Sequence, residues 1–238
     1  MDNVFRNSGK EIQSVRDTRF LQHLHSNILE PVSSEILQEI LLQTDVYIFS
    51  GVIRDYFLER TQETRDLDIV LEHEISWWSI YRRHRKQLQI SINSYGGLKV
   101  TVGNLHVDIW SMGNTWGIKR KGIRLTVQNL IRTALFNFSA IAYSVRRERF
   151  YLHKSFVDFL QTKRIGIQYK ENPNIPLCIV NALHYSNTLN LPLTPELKQW
   201  ISQRYNMFDN YEAPQLSHWG AIKYSHEDIH RFVSLCES

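Results

Sequence analysis

Cysteine is almost missing from this chain: its 238 residues hold two, Cys178 and Cys236, in no motif. A disulfide framework is therefore not what organises the fold. Long apolar runs are missing too, so no segment reads as a bilayer span. The opening residues MDNVFRNSGK lack the basic-then-apolar layout of a secretory signal. The expectation is a cytoplasmic protein without a membrane partner. Nor is there a strong excess of charge: a formal +4 permits contact with nucleic acid without demanding it. What is present is a globular composition, 42% hydrophobic, long enough for one large domain or two small ones with a real core.

The richest stretch runs from Val46 to Leu71, VYIFSGVIRDYFLERTQETRDLDIVL. Val46 to Phe49 is a short β-branched and aromatic run, Ser50-Gly51 is a turn signal, and Val52 to Arg60 has the apolar spacing of a short helix. Asp66 and Asp68 then open a second strand ending at Leu71. Alternate strand residues share a face, so the two carboxylates point one way while Leu67 and Ile69 point into the core. Carboxylates aimed at one spot repel each other unless cations sit between them, and Mg²⁺ is the usual choice where phosphates are handled. Gly51 lets the backbone approach a phosphate closely, and the amides of the helix that follows point to the same place.

SGVIRD followed by RDLDIVL resembles the head-domain signature of class II tRNA CCA-adding enzymes and bacterial poly(A) polymerases, within the DNA polymerase β-like nucleotidyltransferases. In that pattern a Gly-Gly-x-Val-Arg-Asp turn precedes a variable loop and an Asp-Leu-Asp pair; Ser50 stands at the first glycine and Gly51 at the second. The resemblance implies an α+β fold: a head with a mixed sheet and helices on one side, residues 1–165, followed by a small helical neck, residues 166–238. It also implies nucleotide binding by Ser50, Gly51, Arg54 and Asp55, with Arg54 the cation for phosphates or sugar and Asp55 orienting Arg54 or the helix start.

The remaining segments fall around this centre. Ser14 to Leu42 reads as two helices broken near Pro31, with Ser33 or Ser34 as an N-cap and the pair packed on the back of the sheet. Ser76 to Leu88 reads as a helix carrying Trp77, Trp78, Tyr81 and the cluster Arg82-Arg83-His84-Arg85-Lys86. Two readings stand: a nucleic-acid contact, or a solvated face whose tryptophans are core. Leu98–Val102 and Leu105–Trp110, joined by Gly103-Asn104, read as a hairpin. Asp108 in its second strand faces either solvent or a site; the resemblance makes it the third metal-binding carboxylate, nearest the attacking hydroxyl. The stretch SMGNTWGIKRKGIRL reads as a basic loop, either a gate or acceptor contact or a solvated surface. Ile141 to Val145 and Arg149 to Leu152 close the head. Helices follow at 153–160, 175–193, 194–205 and 225–235, with a proline-containing linker before the last.

The implied activity is transfer of a nucleoside monophosphate from a nucleoside triphosphate to an acceptor hydroxyl, first of all an RNA 3′ end, with release of pyrophosphate. Asp66, Asp68 and Asp108 would hold two Mg²⁺ ions. The same chemistry on a protein, a small molecule or another nucleotide is a second reading, and a partner protein is a possible source of acceptor binding. A third is a nucleotide- or RNA-binding protein without catalysis. That last reading is suggested by departures from the pattern: Thr133-Ala134-Leu135 where the family has Arg-Arg-Asp, Asn172 and Ile175 where it has Asp and Arg, and Asn181 and His184 where it has arginines. An unrelated signal, His226-Glu227-Asp228-Ile229-His230, fits the H-E-x-x-H zinc pattern but needs a third ligand from upstream.

Overall fold

A computed structural model describes residues 11–60, 66–93 and 96–237. The opening ten residues and the variable loop before the aspartate pair, including Arg65, lie outside the described residues. The chain divides into two compact units, Met1–Ala134 with Ser139–Val157, and Leu135–Phe138 with Asp158–Ser238.

The first unit is built on β1 (Ile12–Arg16), α1 (Arg19–Asn27), α2 (Pro31–Leu41), β2 (Val46–Phe49), α3 (Gly51–Phe57), β3 (Asp66–Leu71) and α4 (Trp78–His84). These are followed by β4 (Leu88–Ile92), β5 (Leu98–Val102), β6 (Leu105–Ser111), α5 (Trp116–Lys121), α6 (Val127–Arg132), β7 (Ile141–Ser144) and β8 (Arg149–His153). The eight strands form one sheet in the order β1-β8-β7-β2-β3-β6-β5-β4. Every neighbouring pair is antiparallel except β3 and β6, which run parallel with Asp68 opposite Asp108. Parallel neighbours need a crossover; here it is α4 and the β4–β5 hairpin. The consequence is local: the starts of β3 and β6 lie side by side, and side chains from both emerge at one end of one face.

Strand alternation sorts the core into two layers. On one face Tyr143 and Phe150 meet Phe20 of α1, with ring centroids 4.8 and 5.1 Å away, and Phe57 of α3 lies 5.2 Å from Phe150. On the other, Tyr47, Val70, Ala142 and Tyr151 pack against Met112, Ile118, Val127, Leu130 and Ile131. The α+β class and the mixed sheet are as expected, but the helical cover, expected on one side, extends to both, because α5 and α6 close the second face. The stretch read as a basic loop contains α5, which Gly122 ends in the left-handed region at φ 59°.

Three further boundaries differ from expectation. Ile12–Arg16 is a strand rather than the start of a helix: its partner β8 lies far along the chain, so no local pattern announces it. The two helices are broken just before Pro31, as expected, but the N-cap is Glu30 rather than Ser33 or Ser34: Pro31 begins α2, where a missing N–H costs nothing, and Ser33 Oγ donates back to the Glu30 carbonyl at 2.8 Å. The basic helix expected over Ser76 to Leu88 ends at His84, and Leu88 pairs with Val102 as the start of β4.

Helix α7 (Lys154–Thr162) runs across the division between the units. The second unit holds α8 (Ile175–Leu189), α9 (Pro195–Tyr205), α10 (Glu212–Trp219) and α11 (His226–Glu237). Its helix starts are capped as their sequences dictate. Asn174 accepts from Leu177 N, Thr194 accepts from Leu197 N, and Ser225 and Asp228 bond to each other's backbone amides. The linker expected before the last helix contains α10, whose Pro214 falls in the first turn, where it is tolerated. Leu197, Ile201, Ile229 and Val233 are buried. Both cysteines are buried, and burial pushes their thiols up to about 12 for Cys178 and about 11 for Cys236, so neither is a thiolate at neutral pH. No helix among the described residues is long and apolar enough to cross a membrane.

Phe20 is fully buried and touches the rings of Tyr56 of α3 and of Tyr143 and Phe150 of the sheet. Phe20→Ala is expected to cost about 3–5 kcal/mol in urea unfolding monitored by circular dichroism; a cost below about 1 kcal/mol would mean that α1 does not anchor this layer.

Candidate functional site

The turn after β2 places the first candidates. Ser50 adopts φ 57°, a region that glycine occupies without cost and a serine does not. It is held there by Ser50 Oγ donating to Ser139 Oγ at 2.8 Å and by Ser50 N donating to the Ile141 carbonyl at 3.4 Å. Ser139 is a partner the sequence did not reveal. At Gly51 a methyl group would meet nothing within 4 Å, so the space above this backbone is open. The helix that follows is a single short element, Gly51–Phe57, so its dipole adds little.

Arg54 and Asp55 are both buried and form a two-pronged pair: Nε donates to Oδ1 and Nη2 to Oδ2, each at 2.8 Å. Asp55 therefore orients Arg54, as expected. Arg54 is not extended into solvent; its charge acts from beneath, where it favours the ionised form of Asp68.

The three strand carboxylates share one face. Asp66 is exposed at the start of β3; Asp68 and Asp108 are half-buried cross-strand neighbours. Asp68 keeps some surface in water, yet its carboxyl lies deep enough that desolvation, followed by the charges of Asp108 and Asp66, pushes its pKa up to about 7, against a smaller downward pull from Arg54. Asp108 Oδ1 is buried with no hydrogen-bond partner. A buried acceptor without a donor is costly, and two adjacent carboxylates, offset in part by Arg54, are an electrostatic deficit that a cation relieves. The donor set, all carboxylate oxygen, suits a hard divalent ion such as Mg²⁺. Among the described residues no three His, Cys, Asp or Glu side chains are drawn tightly together, and Asp66 stands apart from the Asp68–Asp108 pair in burial.

The register extends this face in a way the sequence reading missed. Lys99 on β5 lies opposite Asp108, and Ser91 on β4 lies opposite Lys99; one step along, Asp66, His106, Thr101 and Gln89 form a second row. Thr101 Oγ1 is 3.1 Å from His106 Nδ1. Beyond the carboxylates the face is thus polar and open, whereas behind them Phe49 and Trp110 lie with centroids 6.2 Å apart, leading into the apolar layer. Trp110 Nε1 donates to Thr115 Oγ1 at 3.1 Å, fixing the indole. The only sequence signal for Lys99 is its place in the alternating strand LKVTV, and it becomes informative only once the pairing with Asp108 is known.

Other candidates are accounted for structurally. Thr133 donates its hydroxyl to the Asn129 and Leu130 carbonyls at the end of α6, and Ala134 is buried, so this segment finishes a helix. In the second unit His184 Nδ1 is 3.1 Å from Tyr224 Oη. His226 and His230 lie on α11 with their rings 6.4 and 6.2 Å from Tyr205, and Asp228 is occupied in capping the helix; no third metal-binding side chain joins them among the described residues.

This fold is similar to that of solved CCA-adding and tRNA nucleotidyltransferase structures. A solved CCA-adding enzyme without ligand superposes with a TM-score of 0.68 at 12% identity over 96% of this chain and 55% of that one. Its counterpart described as a complex with CTP gives 0.67 at 12% identity over 96% and 56%. A tRNA nucleotidyltransferase complexed with a primer tRNA and an incoming ATP analogue gives 0.53 at 19% identity over 73% and 49%. The chain spans about half the length of these structures. No protein-family model and no curated protein matches the sequence.

Two outcomes follow from the charges. Because the folded state holds the Asp68 proton up to about pH 7 whereas the unfolded chain releases it near the ordinary aspartate value of 3.8, the folded state binds more protons in that window. The contribution of Asp68 to stability therefore falls as pH rises from about 4 to 7. In EDTA, Asp68→Asn should flatten the decline of the melting temperature over this range, and Mg²⁺ should raise the melting temperature of the parent more at pH 8 than at pH 5.5; an unchanged slope in the variant would contradict the assignment. Asp55→Ala, which removes the two-pronged partner of the buried Arg54 guanidinium, should cost about 3–5 kcal/mol in urea unfolding, and a cost within error would show that this pair does not hold Arg54 in place.

Proposed function

We propose that the chain is a divalent-metal-dependent nucleotidyltransferase that moves a nucleoside monophosphate from a nucleoside triphosphate to an acceptor hydroxyl, with an RNA 3′ end the first candidate. The observation that carries this reading is the pairing of Asp68 and Asp108 across the parallel strands, one with its pKa pushed up to about 7 and the other with an orphaned buried oxygen, beside an open polar face. A protein that only bound nucleotide would gain nothing from converging negative charges where phosphates must approach.

Asp66, Asp68 and Asp108 would hold two Mg²⁺ ions; bound there, such ions neutralise triphosphate charge and lower the pKa of the attacking hydroxyl. The chain itself supplies position and field. Asp108, on the strand nearest the open face, is placed to fix the hydroxyl, while Asp66 and Asp68 face the triphosphate. Lys99 adds a positive charge on the strand beside Asp108, and Arg54 favours the ionised form of Asp68. The open space above Gly51 admits the triphosphate close to the backbone. Phe49 and Trp110 wall the rear of the site and limit water there. The hydroxyl attacks the α-phosphorus in line, the bond to the bridging oxygen breaks, and pyrophosphate leaves.

A second reading, a nucleotide- or RNA-binding protein without catalysis, is favoured by the segment Thr133-Ala134, whose groups serve helix α6 rather than a ribose, and by the exposure of Asp66 where the other two carboxylates are half-buried. The experiment is incubation with Mg²⁺ and each α-³²P-labelled nucleoside triphosphate, with and without total RNA, beside the Asp66→Ala/Asp68→Ala double variant. Label transfer lost by at least about a hundredfold in the variant is expected, in keeping with removal of a metal clamp, and the labelled species identifies the acceptor. Binding of nucleotide with no transfer of any label would establish the second reading instead.

A further inference from the structure

The basic aromatic helix α4 is not used by the proposed chemistry, and its side chains divide sharply between two faces. Ile80 and His84, four apart, are buried, and His84 Nε2 and Arg83 Nη1 both meet Glu39 Oε1 of α2, at 2.9 and 2.7 Å. The opposite stripe, Trp78, Tyr81, Arg82 and Arg85, follows the i, i+3, i+4, i+7 spacing of a single helix face. Trp78 is 68% exposed and Tyr81 43% exposed, against the one of the two sequence readings that made the tryptophans core. Arg82, Arg85 and the neighbouring Lys86 are exposed as well, and among the described residues no acid pairs with them. Trp78, Ser79, Arg82 and Arg83 line an open hollow of about 400 Å³.

An indole left two-thirds in water is an unsatisfied apolar surface, and three uncompensated cations within two turns form a local positive field. Both are explained by one occupant. We propose that this stripe of α4 is a binding surface for single-stranded RNA, distinct from the carboxylate face: a base stacks on Trp78 in the hollow, and Arg82, Arg85 and Lys86 take the phosphates that flank it. An acidic peptide would answer the cations and leave the indole unexplained. A membrane would need a wider apolar face than two rings on a helix whose other apolar side chain is buried. The choice of RNA over other single strands rests on the nucleotidyl-transfer reading; the existence of the surface does not. The carboxylates stand on β3 and β6, whereas α4 is tied to α2, so the surface would hold a strand away from the reacting end rather than read its terminal base.

The test is fluorescence anisotropy of a 5′-labelled 12-nucleotide oligouridylate and oligoadenylate with the full chain, as a function of salt, for the parent, Trp78→Ala, Trp78→Phe, Arg82→Glu/Arg85→Glu and Asp66→Ala/Asp68→Ala. Trp78→Ala should weaken binding by about tenfold and Trp78→Phe should recover most of it, as stacking on an aromatic face requires. Arg82→Glu/Arg85→Glu should weaken it further and lower the slope of log affinity against log salt by about 1.4, for two lost phosphate contacts. The aspartate variant should bind RNA as the parent does while losing label transfer. RNA binding unchanged in both α4 variants, or no RNA binding by the parent, overturns the inference even if transfer to another acceptor is observed. Binding of phosphatidylserine vesicles in place of RNA, lost in the same variants, overturns it as well. Failure of label transfer with α4-dependent RNA binding intact removes the nucleotidyltransferase reading and leaves this surface standing.

Discussion

The pairing of β3 with β6 is the constraint on which the site depends. It is the single parallel contact in an otherwise antiparallel sheet, and it sets two strand starts side by side with Asp68 opposite Asp108. A one-residue slip in that register would send Asp108 into the core and Ile109 into the site. The buried neighbours Leu67, Val107, Ile69 and Ile109 resist the slip because each would have to leave the apolar layer. Hydrophobic burial on one face thus fixes the position of negative charge on the other.

That arrangement is costly without a counter-ion. The sheet holds Asp68 and Asp108 together, desolvation keeps the Asp68 proton on to about pH 7, and Arg54, itself clamped by Asp55, supplies only partial compensation. The strained serine at position 50 belongs to the same economy: a backbone turn that suits glycine is maintained by the Ser50–Ser139 hydrogen bond, so that the chain can pass beside open space at Gly51. Stored electrostatic and conformational cost at one end of a well-packed sheet is the pattern of a site rather than of a structural surface.

Much of this was legible in the sequence, for identifiable reasons. Strands β2, β3, β5 and β6 announce themselves through alternation, the Gly103-Asn104 turn and the spacing of Asp66 and Asp68, and these are local signals. Strand β1 and the continuation of α4 into β4 were not legible, because each strand is specified by a partner that lies elsewhere in the chain. Lys99 was invisible as a site residue for the same reason: only the register places it beside Asp108. The two-sided helical cover escaped because α5 lies in a stretch rich in glycine and lysine whose apolar residues, Ile118 among them, are few and packed individually. Trp78 of α4 shows the reverse case, since apolar character supported the core reading of this helix and the folded chain leaves the indole outside.

The central claim is that the β3–β6 carboxylates form a divalent-cation site for a nucleoside triphosphate. Anomalous diffraction from crystals grown with Mn²⁺ and a non-hydrolysable triphosphate tests it most directly. The account predicts manganese peaks within about 2.5 Å of carboxylate oxygens of both Asp68 and Asp108, with Asp66 drawn in to the metal that faces the triphosphate. A triphosphate bound elsewhere, or a map with no manganese at Asp68 and Asp108, would contradict it.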